Sequence, residues 1–192
     1  RGSRLGDGEK PLRRVAGRSM VDRVVDALEG SSVETVYPVP SPHAPETAEH
    51  VDHPSISGPG EGYVPDLQAA LADDRVERPV LTVAADLPLL SSAAIDEVLA
   101  ASAGQTLTVA VPVGRVRGLG YSVDTTMRHR GGAVRPAGVN VVGTEPDRVW
   151  LTRERCLSAN VNRPGDLARA AWHLAGENPS ADEHNSYRRP DR

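Results

Sequence analysis

Several things are scarce in this sequence. Cysteine occurs once, as Cys156, which excludes an internal disulfide and leaves no thiolate spacing for a metal. No run of about 18 apolar residues exists, so no membrane-spanning helix is expected. The opening Arg1-Gly2-Ser3-Arg4 lacks an apolar h-region and does not read as a secretory signal. Positive charge is not in excess: the net charge of −4 gives no case for a broad nucleic-acid surface. No internal repeat is visible. What remains is the default of a cytoplasmic protein, and 192 residues suit one domain with its own core.

Lysine is as rare as cysteine. Lys10 is the single Lys beside many Arg. A position that keeps Lys in such a sequence either needs a compact ammonium rather than a planar guanidinium, or has kept it by chance. His43, His50 and His53 form a loose group whose spacing matches no zinc pattern.

What is present alternates between helical and strand-like patterns. Residues 1–18 read as a polar loop rich in Gly and Arg. Ser19 is placed to cap a helix whose inward face carries Val21, Val24, Val25 and Leu28, ended by Gly30. Thr35–Val39 reads as a short strand. Residues 40–62 form a long loop with a short helix near Glu46–His50, and Tyr63–Leu71 a helix with Leu67, Ala70 and Leu71 inward. Val80–Ala84 is an apolar run suited to a central strand covered on both faces. Ser91 or Ser92 caps a helix carrying Ile95, Val98 and Leu99. Thr106–Val113 is rich in β-formers, 114–133 is irregular, and Val139–Val142 and Val149–Leu151 are strand candidates. Asp166–Leu174 is a last helix, with Leu167, Ala170, Ala171 and Leu174 on one side, and 175–192 a tail without periodicity. This alternation predicts an α/β fold: a Rossmann-like three-layer sandwich with a mostly parallel, doubly wound sheet, whose ligands sit at the carboxyl ends of strands. The domain is expected to span 1–174.

Three features carry chemistry. In Arg1–Leu12, the glycines allow backbone N–H groups near phosphate oxygens while Arg4 and Lys10 add charge; a solvated loop is the alternative. Asp86 ends the Val80–Ala84 run, where a carboxylate either holds a Mg²⁺ that bridges phosphates or caps the turn. Gly58-Pro59-Gly60-Glu61-Gly62-Tyr63 precedes a helix, and is either a site for close contact with a base or ribose or a flexible turn.

Together these segments resemble the nucleotidyltransferases related to molybdenum-cofactor guanylyltransferase, since Gly2-Ser3-Arg4-Leu5-Gly6 matches the second half of their Gly-Gly-x-Gly-Ser/Thr-Arg-Met/Leu-Gly signature. Gly60–Leu67, Pro136-Ala137-Gly138-Val139-Asn140-Val141-Val142 and Asn160-Val161-Asn162-Arg163-Pro164-Gly165-Asp166-Leu167 resemble the archaeal adenosylcobinamide-phosphate guanylyltransferases. The resemblance covers roughly 1–174. It implies transfer of GMP from GTP to adenosylcobinamide phosphate during cobalamin nucleotide-loop assembly, with Mg²⁺ as cofactor and no nucleic-acid partner. It assigns Arg4 and Lys10 to catalysis, Gly2, Ser3, Gly6, Gly60 and Gly62 to the nucleotide, Gly138 and Asn140 to the acceptor or α-phosphate side, and Asp86, with Asn162 as a weaker ligand, to the metal. Because the chain starts at Arg1, the family's first strand and first two signature glycines are expected to be missing, with part of the phosphate cradle. Three other readings stay open: guanylyl transfer to molybdopterin, nucleotidyl transfer to a sugar phosphate, and a GTP-binding relative without catalysis.

Overall fold

A computed structural model describes residues 8–176. In chain order, a 3₁₀ turn at Lys10–Leu12 leads into a small hairpin, β1 (Arg14–Val15) and β2 (Arg18–Ser19), then α1 (Met20–Glu29), α2 (Pro45–His50) and α3 (Tyr63–Leu71). There follow β3 (Val80–Val83), α4 (Ser92–Ser102), β4 (Gln105–Pro112), α5 (Val113–Gly118), β5 (Met127–His129), β6 (Gly132–Val142) and β7 (Thr144–Leu151). Two helices close the order, α6 (Arg155–Ser158) and α7 (Pro164–Ala175).

The helices form where caps and periodicity put them. Ser19 Oγ accepts the Asp22 N–H at 3.1 Å, and α1 buries Met20, Val21, Val24 and Ala27 before Gly30 ends it. Ser91, not Ser92, caps α4 by accepting from Ala94 N–H, and Ile95 and Val98 are fully buried. On α7, Ala170 is fully buried and Leu167 and Ala171 pack against the core, but Leu174 is exposed. Leu67, Ala70 and Leu71 of α3 are only half-buried. The core runs from Val15 and Met20 through Leu87, Ile95 and Val98 to the inward residues of β4 and β6, and on to Leu157, Val161 and Ala170.

The α/β class is as expected, and the strand order refines it. The main sheet runs β3-β6-β4-β7, with β5 paired to β6. β3, β4 and β7 point one way, as expected of a mostly parallel sheet, but β6 runs against them between β3 and β4. Among these pairings only β4–β7 is therefore parallel. The run expected to be a central strand, Val80–Val83, lies at one end of this order and is half-buried throughout. Leu81 and Val83 of this strand pack against the core.

Three local expectations are corrected. Thr35–Val39 forms no strand. Pro38 and the following Pro40 and Pro42 lack the N–H groups a ladder needs, and Pro38 instead accepts one hydrogen bond, from Ile56 N–H at 2.9 Å. The irregular stretch 114–133 contains α5 and the β5–β6 hairpin, closed by Arg130 and Gly131, both at positive φ (47° and 81°) as a tight two-residue turn requires. The opening loop contains the β1–β2 hairpin, turned in the same way by Ala16 and Gly17.

Candidate active site

Asp86 stands in the turn after β3, and Gly138 of β6 makes that turn possible. Ala84 N–H donates to Gly138 O at 2.8 Å, carrying the ladder one residue past β3. Gly138 has φ of +81°, and a Cβ there would lie 3.0 Å from Asn160 Nδ2 and 3.1 Å from Ala84 Cβ. The glycine thus allows the Asp86 turn and the Asn160 segment to close over β6. The closure is made by Val161 N–H donating to Asp86 O at 2.9 Å and Asn160 Nδ2 to Asp86 Oδ1 at 3.1 Å.

Lys10 meets this turn from the other end of the chain. Its Nζ donates to Asp86 Oδ2 at 2.5 Å and to Asn162 Oδ1 at 2.9 Å. The Lys10 and Asp86 side chains keep 24% and 18% of their surface exposed, so their ion pair stays accessible to a ligand. The two oxygens converge on one cation, and both are hard donors of the type that Mg²⁺ takes. A single carboxylate with an amide oxygen also fits an ion that keeps most of its ligands for water and phosphate.

The glycine loop precedes α3. Gly60 and Gly62 have φ of +73° and +126°, and Gly62 stands at the N-cap of α3. Asp66 Oδ1 accepts the Gly60 N–H at 2.7 Å, so a residue of the first turn of α3 holds the loop folded back on its helix. Next to Gly62, the Tyr63 hydroxyl lies 3.2 Å from Thr82 Oγ1 and accepts from Asn140 Nδ2 at 3.4 Å. Asn140 is paired with Thr82 across the β3–β6 ladder, two residues from Gly138. The structure therefore brings the side chain that follows Gly62 against Asn140 of β6.

Sequence reading missed four contributors. Asn160 bonds Asp86, Asp66 bonds Gly60, and Glu9 accepts the N–H groups of Glu46 and Thr47 at 2.9 and 2.6 Å, tying the residue before Lys10 to α2. Burial pushes the Glu9 carboxyl up, but the hydrogen bonds from Thr47 and Glu46 outweigh it and hold the group below the usual carboxylate range. The fourth is Arg135, an exposed-looking residue of a Gly- and Arg-rich stretch that proves to be 4% exposed on β6. Burial pulls its guanidinium down, while the charges of Asp86 and Asp166 push it back up. The first Asn of the Asn-x-Asn segment was the one legible signal among these.

Gly2, Ser3, Arg4 and Gly6 lie outside the described residues, as does the tail beyond Gly176. His50 and His53 do not gather on one point: His50 Nε2 lies 2.7 Å from Asp22 Oδ1 and His53 Nε2 3.1 Å from Glu29 Oε1. Two hollows of about 300 and 240 Å³ lie along α1, one beside Pro88–Ser92 and one beside His50–His53. Neither includes Lys10, Asp86 or Asn162. The site is marked by its convergent polar groups. No described helix is long and apolar enough to cross a membrane.

The chain as a whole resembles known proteins. Residues 1–170 match the MobA-like NTP transferase domain. The chain is 30% identical to a protein of Methanocaldococcus jannaschii named adenosylcobinamide-phosphate guanylyltransferase, over 91% of this chain and 93% of that one. It is similar to a hypothetical transferase structure from Thermus thermophilus, with a TM-score of 0.54 and 25% identity, covering 74% of this chain and 59% of that chain's length. It also shares its fold with a CMP:2-keto-3-deoxy-manno-octonic acid synthetase solved with CTP, at a TM-score of 0.62 and 11% identity, covering 87% and 92% of the two chains.

Proposed function

This chain belongs to the MobA-like NTP transferase family and is a nucleotidyltransferase of Rossmann-like α/β fold, and on that premise we propose that it transfers GMP from GTP to adenosylcobinamide phosphate. The observation that carries the proposal is the meeting of Lys10, Asp86 and Asn162 at the carboxyl end of β3. The transferred guanylyl group and the acceptor are those in the name of the Methanocaldococcus jannaschii relative, and the match extends over nearly the whole of both chains.

In the proposed reaction an oxygen of the acceptor phosphate attacks the α-phosphorus of GTP. A new P–O bond forms as the bond to the β-phosphate oxygen breaks, and pyrophosphate leaves. No covalent enzyme intermediate is needed, so the protein's task is alignment and charge neutralisation. Asp86 and Asn162 would hold a Mg²⁺, which would supply neutralisation of developing charge. Lys10, whose ammonium reaches the same two oxygens, would neutralise charge on the α-phosphate. Arg4 is assigned to the β- and γ-phosphates by its place in the signature. Gly2, Ser3, Gly6, Gly60 and Gly62 would border the nucleotide, and Gly138 and Asn140 the acceptor side.

Pyrophosphate release with GTP tests the reading, using adenosylcobinamide phosphate, molybdopterin and a sugar phosphate as acceptors and CTP and UTP as alternative donors. The expected result is turnover with GTP and adenosylcobinamide phosphate alone. Turnover with a different pair would overturn the substrate assignment. For the metal, Asp86→Ala is expected to abolish the response of the rate to added Mg²⁺; a variant that keeps the parental Mg²⁺ response would remove Asp86 from that role.

A further inference from the structure

Among the described residues, Arg135 and Asp166 are the two charged side chains that are buried, at 4% and 3% exposure. Both act on one short segment. Arg135 Nη2 donates to Ser158 O at 2.9 Å, the free carbonyl at the end of α6. Asp166 Oδ2 accepts the N–H groups of Asn162 and Arg163, each at 2.9 Å, while Ser122 N–H and Oγ donate to the same carboxylate at 2.8 and 2.7 Å. Residues 158–162 are therefore gripped at each end by a buried charge of opposite sign. Between the grips this segment delivers Asn160 to Asp86 and Asn162 to Lys10.

The two ends differ in what they do for folding. Asp166 is fully bonded and caps the first turn of α7 as well. Arg135 is not: its Nε and Nη1 are buried without a hydrogen-bond partner among the described residues. A half-bonded buried guanidinium costs folding free energy, and an apolar side chain of similar volume would serve a strand position at least as well. Stability therefore gives no reason for a charge at this position of β6, whereas the site beside it does.

We propose that Arg135 is a positioning residue for nucleotidyl transfer, which holds segment 158–162 against β6 so that the oxygens of Asp86 and Asn162 keep the spacing a nucleotide-bound divalent cation requires. The proposal rests on the reading of the site as a Mg²⁺·GTP site. It does not depend on the identity of the acceptor.

The test compares the parent with Arg135→Met and Arg135→Lys by thermal unfolding, by calorimetry of GTP binding with and without Mn²⁺, and by steady-state kinetics. Arg135→Met is expected to unfold cooperatively within about 4 °C of the parent. Its affinity for GTP without metal should stay within about twofold, while the gain in affinity that Mn²⁺ brings, and kcat with it, fall by about tenfold or more. Arg135→Lys should recover part of both. A parental Mn²⁺ gain in Arg135→Met overturns the proposal, as does a parent chain in which Mn²⁺ brings no gain. If Arg135→Met does not fold, Asp166→Asn is measured in the same way from the other grip. Failure of both variants to fold makes the role structural and ends the proposal. Failure of the functional reading looks different: the parent then gives no pyrophosphate with adenosylcobinamide phosphate, yet its Mn²⁺-dependent GTP binding still responds to Arg135.

Discussion

Lys10 Nζ and Asp86 Oδ2, 76 positions apart in the sequence, lie 2.5 Å from one another, and Asn162 Oδ1 shares the same ammonium. The single lysine of the chain thus meets the carboxylate in the turn after β3. Both side chains keep part of their surface exposed, which leaves the pair open to a ligand.

Replacing the ammonium should separate its part in the reaction from its part in the fold. Lys10→Ala is expected to lower kcat by about 100-fold or more, the size seen when one preorganised charge donor is lost, with little change in thermal midpoint. Lys10→Arg should fall between, because a planar fork cannot replace a compact charge bonded to both Asp86 and Asn162. Steady-state kinetics beside thermal melts check this; an unchanged kcat in Lys10→Ala would remove its phosphate role.

Gly138→Ala adds one methyl group where none fits. Its φ of +81° disfavours a side chain, and the new Cβ would press on Asn160 Nδ2 and Ala84 Cβ. The backbone strain alone costs about 1–3 kcal/mol. Moving Asn160 also moves its Asp86 hydrogen bond, so kcat should drop along with the urea midpoint. A variant of normal stability and normal rate would show that the close approach at Gly138 is not needed.

Asp66→Ala removes the acceptor that holds the Gly60 N–H. The lost hydrogen bond is worth about 1 kcal/mol. If the loop borders the nucleotide, KM for GTP should rise about tenfold while kcat with saturating GTP changes little. Titration of the rate against GTP decides this, and equal KM values would leave Asp66 as a cap only.

His173 on α7 sets one pH dependence. Burial pulls its imidazole below the usual value, helped by the charges of Arg155, Arg169 and Arg115. Its ring stacks on Tyr121 and meets Trp172 edge-on. The unfolded chain then binds a proton that the folded chain resists, so stability falls as pH drops below about 6.5, the unperturbed value. Urea denaturation at pH 7.5 and 5.5 should show a loss at the lower pH that is smaller in His173→Phe. Equal pH dependence in the two chains would assign the loss to other groups.

The helices were legible because their signals are local. Ser19, Ser91 and Gly30 act within a turn of the residues they cap, and Val21, Val24 and Leu28 repeat at helical spacing. Tyr63–Leu71 was bounded correctly for the same reason. Thr35–Val39 misled because β-forming residues outweighed the proline that denies them a ladder. Val80–Ala84 misled in a different way: its apolar run says that the strand is covered, not where in the sheet it sits. Arg135 was invisible, since nothing in a Gly- and Arg-rich stretch marks which guanidinium turns inward.

The sequence by itself determined the chemistry available: one ammonium, a carboxylate after an apolar run, two asparagines two residues apart, and glycines where backbone must approach closely. It also determined the local elements that carry them, and, through its motifs, the family. Only the tertiary structure decided that β6 runs against its neighbours and presents Gly138 beneath the Asp86 turn. It alone brought Lys10 to Asn162 across 152 positions and set a buried charge at each end of the segment between Ser158 and Asn162. The reason is physical. Caps and periodicity act between residues a few positions apart, whereas contacts at such separations depend on strand order, and strand order is chosen by the packing of the whole core.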